Sequence, residues 1–122
     1  PAYVGEHADV GNSAVARGCE ILGEVKNSVL STGCHVGRGA EVSYSVVMPG
    51  AVIEDGARVS YAIVGEGCRV GGKARVGAPP EETGDPAAWG IAVLGPHTHV
   101  AEREEVPPKT MLDSTHGKEA AQ

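Results

Sequence analysis

The chain has 122 residues, a net charge of −6 and an apolar content of 41% that includes no phenylalanine and one tryptophan. This length favours a single domain, and the acidic balance argues against nucleic acid as a partner. No run approaches the roughly 18 apolar residues of a membrane-spanning helix, so we expect no membrane contact. Three cysteines without a CxxC pair argue against a disulfide framework. They favour a reducing cytosol, so we expect a cytoplasmic protein.

An aliphatic residue recurs every five or six positions, and three such steps return the pattern in register after 17 residues. The first coil is shorter, at 15 residues, because only residues 22–24 separate Ile21 from Val25. A small residue stands two positions before almost every one of these aliphatic residues. The pattern predicts an all-β parallel solenoid of about five to six coils, in which three hexads make one triangular coil. The recurring residues are Val4, Val10, Val15, Ile21, Val25, Leu30, Val36, Val42, Val47, Ile53, Val59, Val64, Val70 and Val76.

The repeat is interrupted after Val76 by residues 77–88, which are proline-rich, acidic and polar. We interpret them as a loop inserted into the solenoid. The spacing resumes at Trp89 and continues through Leu94, Val100 and Val106, which places Trp89 among the inward residues. The predicted domain therefore covers residues 1–112, and the polar residues 113–122 are predicted to form a disordered tail.

Residues one coil apart stack in columns on the outer surface. One column is wholly charged, a second is mixed and the third is wholly apolar, with tyrosines in a neighbouring column. An exposed aliphatic stripe of this kind predicts an interface, although β propensity alone can also place such residues on a sheet surface. The predicted interface residues are Val29, Tyr44, Val46, Tyr61, Ile63, Ile91 and Val93.

Several basic residues recur on the predicted outer surface and could together bind a phosphate group of an effector. The alternative is an ordinary solvated charged face. The candidate phosphate-binding residues are Arg38, Arg58, Lys73 and Arg75.

No catalytic residue and no metal site are predicted. His97 and His99 supply only two imidazoles, too few for a zinc site. His35 could be the general base of a hexapeptide acyltransferase, but its ladder with Glu20 and Arg69 favours a solvated side chain. The three cysteines follow glycine at one repeat position and are interpreted as small structural residues.

Three segments, residues 19–30, 44–53 and 90–95, together resemble the C-terminal domain of bacterial glucose-1-phosphate adenylyltransferases. They match, in order, the motifs GCxIxGxVxNSVL, SVIMPGxxI and GIxVVG of that family. The resemblance covers roughly residues 3–112 and includes the short first coil. It implies that the solenoid is a left-handed β-helix.

The resemblance also implies a function. The parent enzymes convert ATP and glucose 1-phosphate to ADP-glucose and pyrophosphate, with Mg²⁺, for glycogen biosynthesis. Catalysis belongs to an N-terminal domain, so this chain is expected to be inactive alone and to need no cofactor. The implied partners are that catalytic domain, the other subunits of a homo- or hetero-tetramer, and a sugar-phosphate effector.

Two alternatives remain open from the sequence. One is a free-standing trimeric hexapeptide acyltransferase, in which the loop 77–88 covers an acyl-CoA cleft. The other is the same domain of another sugar-phosphate nucleotidyltransferase, such as a mannose-1-phosphate guanylyltransferase.

Overall fold

The computed structural model describes residues 1–118, which wind into a parallel β-solenoid of about six coils. Each coil gives one short strand to each of three six-stranded sheets, which we name A, B and C. Sheet A contains β1 (Tyr3–Val4), β4 (Glu20–Ile21), β7 (His35–Val36), β10 (Val52–Ile53), β13 (Arg69–Val70) and β16 (His99–Val100). Sheet B contains β2 (Asp9–Gly11), β5 (Glu24–Lys26), β8 (Glu41–Ser43), β11 (Arg58–Ser60), β14 (Arg75–Val76) and β17 (Glu105–Val106). Sheet C contains β3 (Ala14–Val15), β6 (Val29–Leu30), β9 (Val46–Val47), β12 (Ala62–Val64), β15 (Ala92–Leu94) and β18 (Met111–Leu112).

The strand register confirms the repeat length derived from the sequence. Val25 pairs with Val42 and Val42 with Val59, so successive partners are 17 residues apart. Val10 pairs with Val25, which confirms the shorter 15-residue step in the first coil. The columns predicted from the spacing are therefore real ladders of stacked residues.

The core of the prism consists of the inward aliphatic residues and the small residues that precede them. From Ile21 to Val76 these aliphatic residues are buried, and Leu94, Val100 and Val106 continue the core beyond the loop. The small positions in the same coils hold Ala, Cys, Ser or Thr, except for Gly23 before Val25 and Glu104 before Val106. The interior of the narrow prism has little room at its corners, which explains why small residues predominate there.

A ladder of serine hydroxyls lines the corner between sheets B and C. The Ser28 hydroxyl donates to the Lys26 carbonyl at 2.8 Å and accepts the Ser45 N–H at 3.1 Å. The Ser45 hydroxyl donates to the Ser43 carbonyl at 2.8 Å and accepts the Ala62 N–H at 3.2 Å. These hydroxyls satisfy buried backbone groups at a bend, where an unpaired group would be costly. The sequence analysis treated the positions only as small and missed this role.

The inserted loop runs from residue 77 to residue 91, between β14 and β15, and contains two short 3₁₀ turns, Pro80–Glu82 and Pro86–Ala88. The prediction that Trp89 points into the prism is wrong. Trp89 is only partly buried and lies on the outside, where its ring edge meets the ring of Tyr61. The five- and six-residue spacing gave the wrong result because the loop separates two successive inward positions. Val76 fills the inward position of sheet B, and the chain returns to the core only at Ala92 in sheet C.

Residues 113–118 form turns after the last strand. The Asp113 carboxylate accepts the Thr115 N–H at 2.9 Å, and the imidazole of His116 contacts the Glu104 carboxylate. The rest of the segment predicted to be disordered, residues 119–122, lies outside the described residues.

Candidate interaction surface

The outward side of sheet C carries an uncharged column of residues that runs along the prism. Register places Val29 beside Val46, Val46 beside Ile63, and Ile63 beside Val93. Val29 is 47% exposed and Ile63 is 40% exposed, although both are large aliphatic side chains. Soluble proteins rarely leave a continuous apolar strip of this kind uncovered unless something binds there.

A second column stands beside it at the corner between sheets B and C. It contains Asn12, Asn27, Tyr44 and Tyr61, all with a left-handed backbone and φ between 49° and 51°. Asparagine tolerates this conformation because its short side chain can bond locally, whereas a tyrosine there is strained. Strain of this kind costs on the order of 1 kcal/mol and often marks a functional position.

The two tyrosines and Trp89 form an aromatic cluster. The rings of Tyr44 and Tyr61 are stacked, with centroids 4.8 Å apart, and Trp89 meets Tyr61 edge-on at 5.6 Å. Desolvation raises the pKa of the Tyr61 hydroxyl, with further contributions from Tyr44 and from the Glu81 carboxylate. Tyr44 remains 53% exposed, so the cluster offers aromatic surface to a partner.

All seven predicted interface residues lie on this side of the molecule. We call the surface that they form with Trp89 the docking face. Ile91, which is 43% exposed, pairs by register with Tyr61 because Ala62 lies beside Ala92. Sequence reasoning missed Trp89, because the spacing assigned it to the core. The docking face therefore includes residues of the loop as well as residues of sheet C.

Side-chain and backbone contacts hold the loop against the prism. The Lys109 ammonium donates to the Ala87 carbonyl at 3.0 Å, and the Lys109 N–H donates to the Gly90 carbonyl at 2.9 Å. The Arg75 guanidinium lies 3.6 Å from the Glu82 carboxylate and joins the loop to sheet B, on the opposite side of the corner from the docking face. Within the loop, the Trp89 indole N–H donates to the Ala78 carbonyl at 2.8 Å.

The structure separates the four candidate phosphate-binding residues into two places. Arg58 and Arg75 are adjacent in sheet B, whereas Arg38 and Lys73 lie in corner segments between sheets A and B. Arg58 also forms an ion pair with Glu41 at 3.3 Å. Within residues 1–118, neither Arg38 nor Lys73 makes an ion pair.

His35, the candidate general base, lies on the outer surface of sheet A beside Glu20. His35 Nδ1 lies 2.8 Å from the Glu20 carboxylate on an open sheet surface. The described part of the chain contains no group of three or more His, Cys, Asp or Glu side chains positioned to share a metal ion. Nor does it contain a helix long and apolar enough to cross a bilayer.

The cysteines are buried and form hydrogen bonds at the corner between sheets C and A. Cys34 Sγ donates to the Met48 carbonyl at 3.1 Å, and Cys68 Sγ donates to the Gly95 carbonyl at 3.0 Å. Thr98, at the same repeat position, donates its hydroxyl to the Gly95 carbonyl of its own turn at 2.8 Å. Burial, followed by the neighbouring Cys19 thiol, raises the pKa of Cys34 to about 11. Thiols in this environment are unreactive, consistent with a structural role.

Short parallel strands, 17-residue coils and small corner residues define a hexapeptide-repeat solenoid, the class of the left-handed β-helices. The model of the GlmU-like C-terminal hexapeptide family matches residues 2–92, and the chain belongs to that family.

The chain is similar to proteins named as glucose-1-phosphate adenylyltransferases and to a glycogen biosynthesis protein. The chain is 39% identical over 102 residues to the glucose-1-phosphate adenylyltransferase of Desulfitobacterium hafniense (strain DSM 10664 / DCB-2), covering 84% of this chain and 25% of that protein. It is 57% identical over 42 residues to the enzyme of that name in Clostridioides difficile (strain 630), covering 34% of this chain and 11% of the relative. It is 45% identical over 42 residues to the glycogen biosynthesis protein GlgD of Bacillus subtilis (strain 168), covering 34% of this chain and 12% of that protein. The chain thus spans a quarter or less of these relatives.

Proposed function

We propose that this chain is a non-catalytic assembly and regulatory domain of a cytoplasmic glucose-1-phosphate adenylyltransferase, the enzyme that forms ADP-glucose for glycogen biosynthesis. The observation that carries the proposal is the docking face. An apolar column joins an aromatic cluster in which two tyrosines have a strained backbone. The relatives named as adenylyltransferases supply the particular enzyme.

The size of the docking face favours a partner within the same polypeptide. The docking face spans four strands of sheet C at about 4.8 Å spacing, so it is about 14 Å long, and its outward residues make it about 12 Å wide. That area, on the order of 200 Å², is well below the roughly 800 Å² per partner of a stable complex between separate molecules. A tethered domain has an effective concentration in the millimolar range, so a smaller contact suffices. The catalytic domain is therefore the proposed partner. The tetramer depends on this contact because the contact fixes how the two domains of each subunit are presented to the other subunits.

The test uses charge substitutions on the docking face of the complete enzyme that carries this domain. Val46→Asp and Ile63→Asp place an unpaired carboxylate in the apolar contact, which costs several kcal/mol when buried. We expect loss of the tetramer, measured by light scattering, and altered effector response in ADP-glucose synthesis. Val52→Asp is the matched control, because Val52 also points outward but lies in sheet A between His35 and Arg69. That variant is expected to assemble normally.

Measurements on the 122-residue chain alone distinguish a loss of assembly from a loss of folding. The chain should be monomeric at micromolar concentration and inactive, and both aspartate variants should retain its circular dichroism spectrum and melting temperature. Unfolding of the variants would show that the strip supports the core. A stable trimer that binds acetyl-CoA would overturn the proposal in favour of an acyltransferase.

A further inference from the structure

A notch lies at the corner between sheets A and B in the first three coils, across the prism from sheet C. Residues 22–23 turn this corner in two residues, whereas residues 5–8 in the coil before and residues 37–40 in the coil after use four. The short corner is therefore recessed between two longer corners that project on either side of it. The space between them is a cavity of about 390 Å³, within the size range of small-molecule sites.

The notch is lined by three polar side chains that have no partner in the part of the chain that the structure describes. His7 belongs to the first projecting corner, Arg38 belongs to the second, and Glu24 lies at the start of the sheet B strand β5. Within residues 1–118, none of these three side chains forms an ion pair or a hydrogen bond. The Arg38 backbone is nevertheless fixed, because its N–H donates to the Asp55 carboxylate at 3.0 Å. A few polar groups that converge on a cavity are typical of a ligand site.

Glu24 is the uncompensated carboxylate of this notch. It stands between Asp9 and Glu41 in a ladder of three carboxylates on adjacent parallel strands. The Lys26 ammonium neutralises Asp9 at 2.7 Å. The Arg58 guanidinium pairs with Glu41 at 3.3 Å, which leaves only Glu24 without a cation. Like charges at neighbouring ladder positions destabilise a sheet, so a cation bound beside Glu24 would be stabilising.

Arg38 supplies the opposite charge on the facing wall. Although Arg38 and Glu24 line the same cavity, their side chains form no ion pair with each other. Unpaired opposite charges held apart across a cavity suit a ligand that carries both a carboxylate and an ammonium group. A guanidinium holds a carboxylate through two parallel hydrogen bonds. The ammonium group of the same ligand would then lie against the carboxylate ladder.

We infer that the notch binds a small zwitterion of the α-amino-acid class, whose carboxylate contacts Arg38 and whose ammonium group contacts Glu24. The His7 imidazole adds a further hydrogen-bonding group at the rim. The notch shares no residue with the docking face, which lies on sheet C and at the corner between sheets B and C. The notch therefore stays open when the docking face is covered, and the inference does not depend on the proposed function.

Nuclear magnetic resonance of the isotope-labelled 122-residue chain measures this binding directly. L-Alanine is titrated at neutral pH and constant ionic strength, so that screening is unchanged. The backbone amides of Gly5, Gly23 and Gly39 line the notch, and we expect their chemical shifts to change saturably. Propionate and ethylammonium each carry only one of the two charged groups. Each of them should bind at least about tenfold more weakly than L-alanine, as expected for loss of a charged hydrogen bond.

Substitutions on the two walls test the assigned contacts. Arg38→Gln and Glu24→Gln should each weaken L-alanine binding by about tenfold or abolish it. Arg17→Gln is the matched control, because Arg17 is exposed at the corner between sheets C and A, and it should bind like the parent chain.

A variant without the notch tests its shape separately from its charges. Replacing residues 22–23 by the four uncharged residues Gly-Asn-Gly-Ala gives this corner the length of its neighbours and should abolish binding with the circular dichroism spectrum retained. The inference is overturned if L-alanine leaves the three glycine amides unchanged, or if propionate or ethylammonium binds as tightly as L-alanine. It is equally overturned if binding survives Arg38→Gln or the folded four-residue corner. These outcomes do not depend on the assembly test with Val46→Asp.

Discussion

The rings of Tyr44 and Tyr61 stack 4.8 Å apart with their planes inclined by only 10°, although both residues have a left-handed backbone. The stacking contributes about 0.5–1.5 kcal/mol, whereas the backbone strain of the two residues together costs at least about 2 kcal/mol. The stacking therefore does not fully offset the strain in the free energy of unfolding. What remains is an exposed aromatic surface at a corner where the first two coils have asparagine. The balance of energies indicates that the tyrosines serve binding more than folding.

Tyr44→Asn should therefore leave the stability of the chain almost unchanged while weakening assembly of the complete enzyme. Asparagine suits the left-handed corner, so the loss of stacking is offset to within about 1 kcal/mol. Chemical denaturation measures the first effect and the concentration dependence of the tetramer measures the second. Tyr3→Asn, on exposed strand β1 of sheet A, is the control and should not weaken assembly. Equal loss in both variants would contradict the role of Tyr44.

The sequence predicted the architecture well because the repeat constrains every coil in the same way. Once Val42, Val59 and Val76 are known to point inward, their neighbours must point outward, and the 17-residue step fixes which outward residues stack. The apolar column of sheet C and the charged column of sheet B follow from the inward positions and the 17-residue repeat length. No knowledge of side-chain conformation is needed for either.

The sequence could not predict features that depend on where the chain leaves the repeat or on hydrogen bonds at the corners. Trp89 fits the numerical spacing, yet its indole ring is too large for a prism corner and packs outside on Tyr61. The role of Ser45 depends on a bend that leaves the Ala62 N–H without a carbonyl partner. The pairing of Arg75 with Glu82 depends on the path of the loop. Spacing carries no information about any of these three.

Ser45→Ala should destabilise the chain by about 1–3 kcal/mol, because it removes the hydroxyl that serves both the Ser43 carbonyl and the Ala62 N–H. The site is buried, so water cannot replace the lost bonds. Urea denaturation followed by circular dichroism gives the free energy of unfolding. Ser31→Ala is the matched control, since the Ser31 side chain makes no hydrogen bond within residues 1–118. A cost below about 0.5 kcal/mol for Ser45→Ala would show that the hydroxyl ladder is dispensable.

Gly23→Ala should be among the most damaging single-methyl additions to the chain. Residues 22 and 23 cross from sheet A to sheet B in two residues, where neighbouring coils use four. A Cβ on Gly23 would collide with the backbone oxygens of Ala40 and Gly37, which cannot move aside without breaking the next coil. We expect a loss of about 1–3 kcal/mol or more. Gly84→Ala, where an added Cβ meets nothing within 4 Å, is the control and should be neutral.

Cys34 should make the stability of the chain fall with rising pH in the alkaline range. The folded thiol has a pKa of about 11, raised mainly by burial from the ordinary value of 9.0. The raised pKa favours the folded state below pH 9, where both forms are protonated. Between pH 9 and about pH 11 the unfolded thiol ionises while the folded one does not, so the unfolded state is progressively favoured. The loss over this range is about 2 kcal/mol.

The measurement compares urea denaturation of the parent chain and of Cys34→Ala from pH 8 to pH 11. Alanine fits this corner, because Ala51 occupies the same position one coil later and is fully buried. Every other ionisable group is present in both proteins, so its contribution cancels in the difference. We expect the stability of the parent chain to decline relative to Cys34→Ala above pH 9. Parallel curves would mean that the thiol ionises equally in both states, which would contradict the effect of its burial at this corner.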